Sequence, residues 1–113
     1  MLALSGALRI FLYRGPADMR KSYDGLAGLV RAELHDDPLS GALFVFCNRR
    51  RTMVKMLYFD RDGLAIWGKR LERGTFRIPP PDGPTAEIDR RHLTLLLEGV
   101  TPRRLARRYQ PGD

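Results

Sequence analysis

Residues 43–59 read Leu43-Phe44-Val45-Phe46-Cys47-Asn48, then Arg49-Arg50-Arg51, then Thr52-Met53-Val54-Lys55-Met56-Leu57-Tyr58-Phe59. The turn Asp60-Arg61-Asp62-Gly63 follows, then Leu64-Ala65-Ile66-Trp67, Gly68-Lys69-Arg70-Leu71-Glu72-Arg73-Gly74 and Thr75-Phe76-Arg77-Ile78. Short apolar runs rich in β-branched and aromatic residues alternate with turn residues, and none is long enough for a typical helix. That pattern predicts consecutive antiparallel strands, with Thr75–Ile78 as the last of them. Most of the aromatics fall here, so the core is expected here, with Tyr58, Trp67 and Phe76 inside it rather than offered to bases. The arginines fall at turns and strand ends. An apolar sheet with guanidinium groups on its loops is a platform for a polyanion.

Outside this stretch, residues 8–13 (Leu-Arg-Ile-Phe-Leu-Tyr) predict a first strand closed by Gly15-Pro16. Asp18 is placed to cap a helix starting at Met19, whose apolar stripe is Met19, Tyr23, Leu26, Val30 and Leu34. Asp36-Asp37-Pro38 ends it. Gly25 and Gly28 inside that helix each cost about 1 kcal/mol relative to Ala, which suggests close approach of another backbone. In the Asp60–Gly63 hairpin, Gly63 is expected to take the positive φ. Pro79-Pro80-Pro81 and Pro84 read as a rigid connector. Asp89 is expected to cap a second helix with Leu93, Leu96, Leu97 and Val100 on its apolar face. The first helix is expected on one face of the sheet and the second at an edge.

The chain has 113 residues and a net charge of +7. That length argues for one domain and one modest core. The charge favours nucleic acid, acidic protein or anionic lipid without choosing among them. The single cysteine, Cys47, cannot form an internal disulfide and reads as a small buried hydrophobe. Residues 1–8 are mildly apolar, but Arg9 ends the run and no charged segment precedes it, unlike a signal peptide. No apolar run approaches the roughly 18 residues of a membrane span. A cytoplasmic protein is expected.

Catalytic patterns are lacking. His35, His92 and Cys47 do not make a structural zinc set, and no phosphate-cradling glycine loop or nucleophile elbow is present. Asp60-x-Asp62-Gly63 is a poor calcium loop, because its sixth and twelfth positions are Ala65 and Leu71. The aspartates sit at caps and turns, their ordinary structural places. No catalytic residue, metal or cofactor is assigned. The basic turns are the candidate site: Arg49, Arg50, Arg51, Lys69, Arg70 and Arg73, with Arg103 and Arg104 in the C-terminal tail. Arginine forks suit phosphate oxygens, and no base-reading helix stands out, so contact with the nucleic-acid backbone is the expected kind.

Asp18-Met19-Arg20-Lys21-Ser22-Tyr23-Asp24-Gly25-Leu26 resembles the DMRKGFDGL segment of the TnpB-type, second-reading-frame proteins of insertion sequence 66 elements. These are unrelated to the RNA-guided nucleases that share those letters. The resemblance continues through Leu43–Arg51, Lys55–Asp60, Gly63 and Lys69-Arg70-Leu71-Glu72-Arg73-Gly74-Thr75-Phe76, and ends near Leu96-Leu97-Glu98-Gly99. Ser22 and Tyr23 stand where glycine and phenylalanine are usual, and Cys47 where a polar or basic residue is common. The resemblance implies an accessory protein working beside a separate, larger transposase, and it carries over no catalytic residues.

The expected molecule is therefore a small single α+β domain over residues 1–100, a largely antiparallel sheet of about five strands with two helices, then a basic tail over 101–113. The expected function is non-catalytic: an accessory role in transposition, contacting DNA backbone through the basic turns, at element ends or non-specifically. The alternative is a subunit that binds the transposase or another accessory protein of the element, with Arg20, Lys21 and Asp24 at that interface. A nuclease using Asp60 or Asp62 ranks last. No membrane is involved, and a homo-oligomer is left open.

Overall fold

The computed structural model describes residues 7–78 and 85–98. In chain order the elements are strand β1 (Ile10–Pro16), helix α1 (Tyr23–Glu33), strands β2 (Leu43–Cys47), β3 (Met53–Asp60), β4 (Gly63–Arg70) and β5 (Thr85–Ile88), and helix α2 (Arg90–Leu97). They form one five-stranded sheet in the order β4-β3-β2-β1-β5. The pairs β3–β4, β2–β3 and β1–β5 are antiparallel, while β1 and β2 are parallel. The parallel pair exists because α1 carries the chain back between two strands that point the same way. The fold is α+β and mostly antiparallel, with one βαβ crossover inside it.

The continuous apolar run Leu43–Cys47 has its explanation in the centre of this sheet. Every residue of β2 is buried. A strand covered on one face alternates apolar and polar residues, whereas one covered on both faces does not. Leu43, Val45 and Cys47 join Ile10, Leu12, Val54 and Met56 under Leu93 and Leu96 of α2. Phe44 and Phe46 join Leu57 under Leu26, Ala27 and Val30 of α1. Phe11 stacks on Phe44 at 5.8 Å, and Tyr13 tilts against Phe46 at 5.9 Å, tying β1 to β2 on the α1 side. Each buried phenylalanine contributes on the order of 1.5–3 kcal/mol by leaving water.

Several local expectations are corrected. Helix α2 covers a face of the sheet, not an edge, because Leu93 and Leu96 point into the core on that side. Residues 75–78 are not a strand. Phe76 is instead a buried plug of the α2-side core, and its N–H donates to the Arg51 carbonyl at 2.7 Å. The fifth strand is Thr85–Ile88, beyond the proline-rich segment. That segment, residues 79–84, lies outside the described residues.

The first helix begins at Tyr23, four residues later than its stripe suggested. Asp18 does not cap it. The carboxylate accepts instead from the Arg20 N–H at 2.9 Å and from the Arg20 guanidinium at 2.8 Å. Residues 18–21 form a turn, closed by the Lys21 N–H on the Asp18 carbonyl at 3.0 Å. Lys55, reaching over from β3, donates to the carbonyls of Met19 and Lys21, both at 2.8 Å. Gly25 and Gly28 admit no other backbone. A Cβ on Gly25 would meet the Lys21 side chain at 3.0 Å, and one on Gly28 would meet nothing within 4 Å. In the β3–β4 hairpin it is Arg61, with φ 59°, that takes the positive φ, while Gly63 opens β4. Asp89 caps α2 as expected, accepting from the His92 N–H at 2.7 Å.

Candidate nucleic-acid interface

The turn between β2 and β3 is held by one side chain. Asn48 Oδ1 accepts from the N–H groups of Thr52 and Met53 at 2.8 and 3.0 Å, and its Nδ2 donates to Thr52 Oγ1 at 3.0 Å. The Arg51 N–H closes the turn on the Asn48 carbonyl at 3.0 Å, with Arg51 at φ 60°. The backbone needs none of the three arginine side chains for this. All three are exposed.

The antiparallel register brings the second basic run alongside. Lys69 lies opposite Val54 and Arg70 opposite Met53. Past the end of β4, the Leu71 N–H donates to the Thr52 carbonyl at 2.8 Å, and the Phe76 N–H reaches Arg51. Arg73 lies between these two anchors, so it too is held beside the Arg49–Arg51 turn. The 18–21 turn follows the C-terminal end of β1 and meets the same end of the sheet, bringing Arg20 and Lys21. Of the basic residues singled out in the sequence, all the described ones therefore share one end of the molecule. Arg103 and Arg104 lie outside the described residues.

Their engagement differs. The Lys69 ammonium donates to the Leu97 carbonyl at 3.0 Å, where it satisfies and complements the C-terminal end of α2. Arg70 lies 3.6 Å from Glu72, an exposed pair of small energetic weight. Arg20 is clamped by Asp18. Hydrogen bonds from Arg20, side chain first and backbone second, hold the Asp18 carboxyl down at about 2.

A cleft of about 190 Å³ opens at this end, between the C-terminal ends of the parallel strands β1 and β2. It is lined by Tyr13, Arg14, Gly15, Pro16, Cys47, Asn48, Arg49, Arg51 and Ile78. Arg50 is not on its wall. Arg14 reaches it from an irregular stretch: the β1–β2 register shifts between Leu12 and Pro16, before the Ala17 N–H bonds the Cys47 carbonyl at 2.9 Å. Arg14 follows Ile10 and Leu12 in the alternation of β1, is half-buried, and meets the cleft wall beside Cys47 and Ile78 of the α2-side core. Tyr13 folds over Gly15, where a Cβ would lie 2.6 Å from the phenol oxygen. Cys47 on the cleft floor is no nucleophile. Burial pushes its thiol up to about 11, against a smaller opposing pull from Arg51.

The opposite end of the sheet is richer in acids. There stand Asp60 and Asp62 of the β3–β4 turn, Asp36 and Asp37 after α1, and Glu87 and Asp89 at the β5–α2 junction, with Arg61, Arg90 and Arg91 among them. Arg9, also at that end, is held by Glu87 through two bonds of 2.9 and 3.0 Å. A second cleft there, of about 370 Å³, includes Arg9, Phe11 and Asp36 in its wall, so its cation is already paired.

Among the described residues no group of three or more His, Cys, Asp or Glu is placed to hold a metal ion. The sequence reading missed Arg14, which it left between the strand 8–13 and its terminator, and Lys55, whose role needs two distant segments to meet. It treated Arg49, Arg50 and Arg51 as equivalent.

The family description that matches residues 8–107 is "IS66 Orf2 like protein". The chain belongs to the IS66 Orf2-like family. That is a family of insertion-sequence accessory proteins, as the sequence motifs implied. Two relatives from Sinorhizobium fredii (strain NBRC 101917 / NGR234) span nearly the whole chain. "Uncharacterized protein y4hO" is 33% identical over 111 residues, covering 98% of this chain and 96% of that protein. "Uncharacterized protein y4jC" is 32% identical over 108 residues, covering 96% of this chain and 92% of that protein. No solved structure matches. The motifs that carry the IS66 Orf2-like resemblance converge in space: the DMRK turn is tied to Lys55, and the KRLERGTF segment is tied to the triple-arginine turn. No helix among the described residues is long and apolar enough to cross a membrane.

Proposed function

We propose that this IS66 Orf2-like protein assists transposition in the cytoplasm by holding DNA through its phosphate backbone, without catalysing a step itself. The observation that carries the reading is the gathering of Arg14, Arg49, Arg51, Arg70 and Arg73 at one end of the sheet, with the acidic turns at the other. A molecule polarised in this way orients itself in the field of a polyanion before contact. Guanidinium forks then engage phosphate oxygens, which fixes position without reading sequence. Arg103 and Arg104, outside the described residues, add to the charge that DNA meets in this reading.

Fluorescence anisotropy of a labelled element-end duplex, titrated at several salt concentrations beside a shuffled duplex, tests it. Binding should weaken steeply with salt, with a slope near −0.9 for each phosphate engaged. Equal affinity for both duplexes is the expected result, and a preference for the element end would add base recognition. No measurable binding at low salt would overturn the reading and shift the role to a complex with the transposase, where Arg20, Lys21 and Asp24 would be the first residues to replace.

A further inference from the structure

The three consecutive arginines are not equivalent, and the difference defines a site. Arg49 and Arg51 line the cleft between the ends of β1 and β2 together with Arg14, while Arg50 does not. Two backbone features accompany this arrangement. Arg14 sits in the irregular stretch of β1 between Leu12 and Pro16, on the cleft wall beside Cys47 and Ile78. The left-handed conformation at Arg51, fixed by Asn48, lets the first and third arginines share a wall.

The cleft lies beyond the carboxyl ends of a parallel strand pair, where open sheets with a βαβ unit commonly receive ligands. Its 190 Å³ is below the roughly 300 Å³ at which pockets for whole small molecules begin. It is ample for one phosphate group and its waters, since a single water needs about 10–15 Å³ of such space. Among the described residues no carboxylate lines it. We infer that this cleft seats a single phosphate of the nucleic-acid backbone, gripped by Arg14, Arg49 and Arg51, and so fixes the register of the DNA on the basic end of the protein. The inference rests on the DNA-binding reading above and sharpens it from a diffuse field to one seat.

The shared chemistry, a tetrahedral phosphate oxyanion, has two sources: an internal phosphodiester or a phosphorylated strand end. The test uses the full chain and anisotropy on one labelled duplex prepared with 5′-hydroxyl or 5′-phosphate ends. Arg14→Lys keeps the charge and removes the fork, Arg49→Gln removes one wall, and Arg51→Gly removes the other while suiting the positive φ. Each should weaken binding about tenfold or more; Arg49→Gln and Arg51→Gly, which remove a charge, should also flatten the salt slope by about one phosphate, while Arg14→Lys should leave the slope nearly unchanged. Arg50→Gln should cost about threefold or less, the share owed to the general field. Equal affinity for the two end chemistries assigns the seat to an internal phosphate. Much tighter binding of the phosphorylated end assigns it to a strand terminus.

If Arg50→Gln is as damaging as the others, or Arg14→Lys has no effect, there is no seat and the inference falls while DNA binding stands. If the native protein binds no duplex, the DNA-binding reading falls. The cleft is then judged by NMR with inorganic phosphate: selective shifts of the Arg14, Arg49 and Arg51 Nε–H signals would keep it as a phosphate site, and their absence would remove it.

Discussion

Two hairpin turns cap opposite ends of β3, and both place an arginine in the left-handed region. Arg51 has φ 60° and Arg61 has φ 59°. Otherwise the turns differ. The β2–β3 turn is braced by Asn48, surrounded by cations and open to a cleft. The β3–β4 turn is minimal: Asp60 pairs with Gly63, and the Asp62 N–H closes on the Asp60 carbonyl at 2.6 Å, a tight γ-turn centred on Arg61. Asp60 and Asp62 flank that arginine in the chain. The lesson is that one strained backbone feature serves two ends. At one turn it sets a guanidinium on a cleft wall, and at the other it only reverses the chain.

Removing the brace should separate the turns most sharply. Asn48→Ala deletes one side-chain donor and one acceptor that serves two backbone N–H groups, and should cost about 1–3 kcal/mol in denaturant unfolding. It should also loosen DNA, because Arg49 and Arg51 lose their fixed spacing. An unfolding cost below about 0.5 kcal/mol would mean that Asn48 does not hold the turn.

Relieving the backbone should affect both turns alike. Arg51→Gly and Arg61→Gly each replace a non-glycine residue at positive φ, where an L side chain costs roughly 1–2 kcal/mol. Part of that is offset by the greater freedom of glycine in the unfolded chain. Each variant should therefore be unchanged or up to about 1 kcal/mol more stable. A clear loss at either site would show that the arginine side chain holds its turn together.

The smallest expected effect is in acid. Asp18, beside the basic end, has its carboxyl held down at about 2 by hydrogen bonds from Arg20. Its folded pKa lies below the unfolded value near 3.8, so its contribution to stability is complete above 3.8 and lost as pH falls towards 2. An NMR titration of the Asp18 carboxyl should show a midpoint near 2 in the native protein and an upward shift in Arg20→Gln. A midpoint near 3.8 in the native protein would mean that Arg20 is unclamped and available to a partner.

The sheet was legible because Leu43–Cys47, Met53–Asp60 and Gly63–Arg70 are separated by unambiguous turn residues. The unbroken apolar character of Leu43–Cys47 also carried a message not taken from it: both faces are covered, so α2 belongs on a face. The start of α1 was misplaced because Met19 continues the helical spacing by accident of packing. Met19 touches the α1-side core from a turn that Lys55 holds. Thr75–Ile78 has strand composition, but its middle residue is spent as a core plug and its N–H on Arg51.

Of the candidate site, the residue types were visible and the geometry was not. Arg49–Arg51 and Lys69–Arg73 were prominent as charge runs. That Lys69 serves the end of α2, that Arg50 stands off the cleft and that Arg14 stands on it all depend on contacts between distant segments. Alternation puts Arg14 on the face of Ile10 and Leu12, but that a cleft opens there depends on the ends of β1 and β2 and on Ile78 meeting.

The most direct test of the account is a paired anisotropy titration of Arg51→Gly and Arg61→Gly on the same duplex over a series of salt concentrations. Both substitutions remove one positive charge and relieve the same backbone conformation, so net charge and fold are matched. The account predicts that Arg51→Gly lowers affinity about tenfold and flattens the salt slope by about one phosphate, while Arg61→Gly binds within about twofold of the native protein. Equal losses for the two variants would contradict it, because DNA would then be responding to total charge and not to the end of the sheet where the arginines meet.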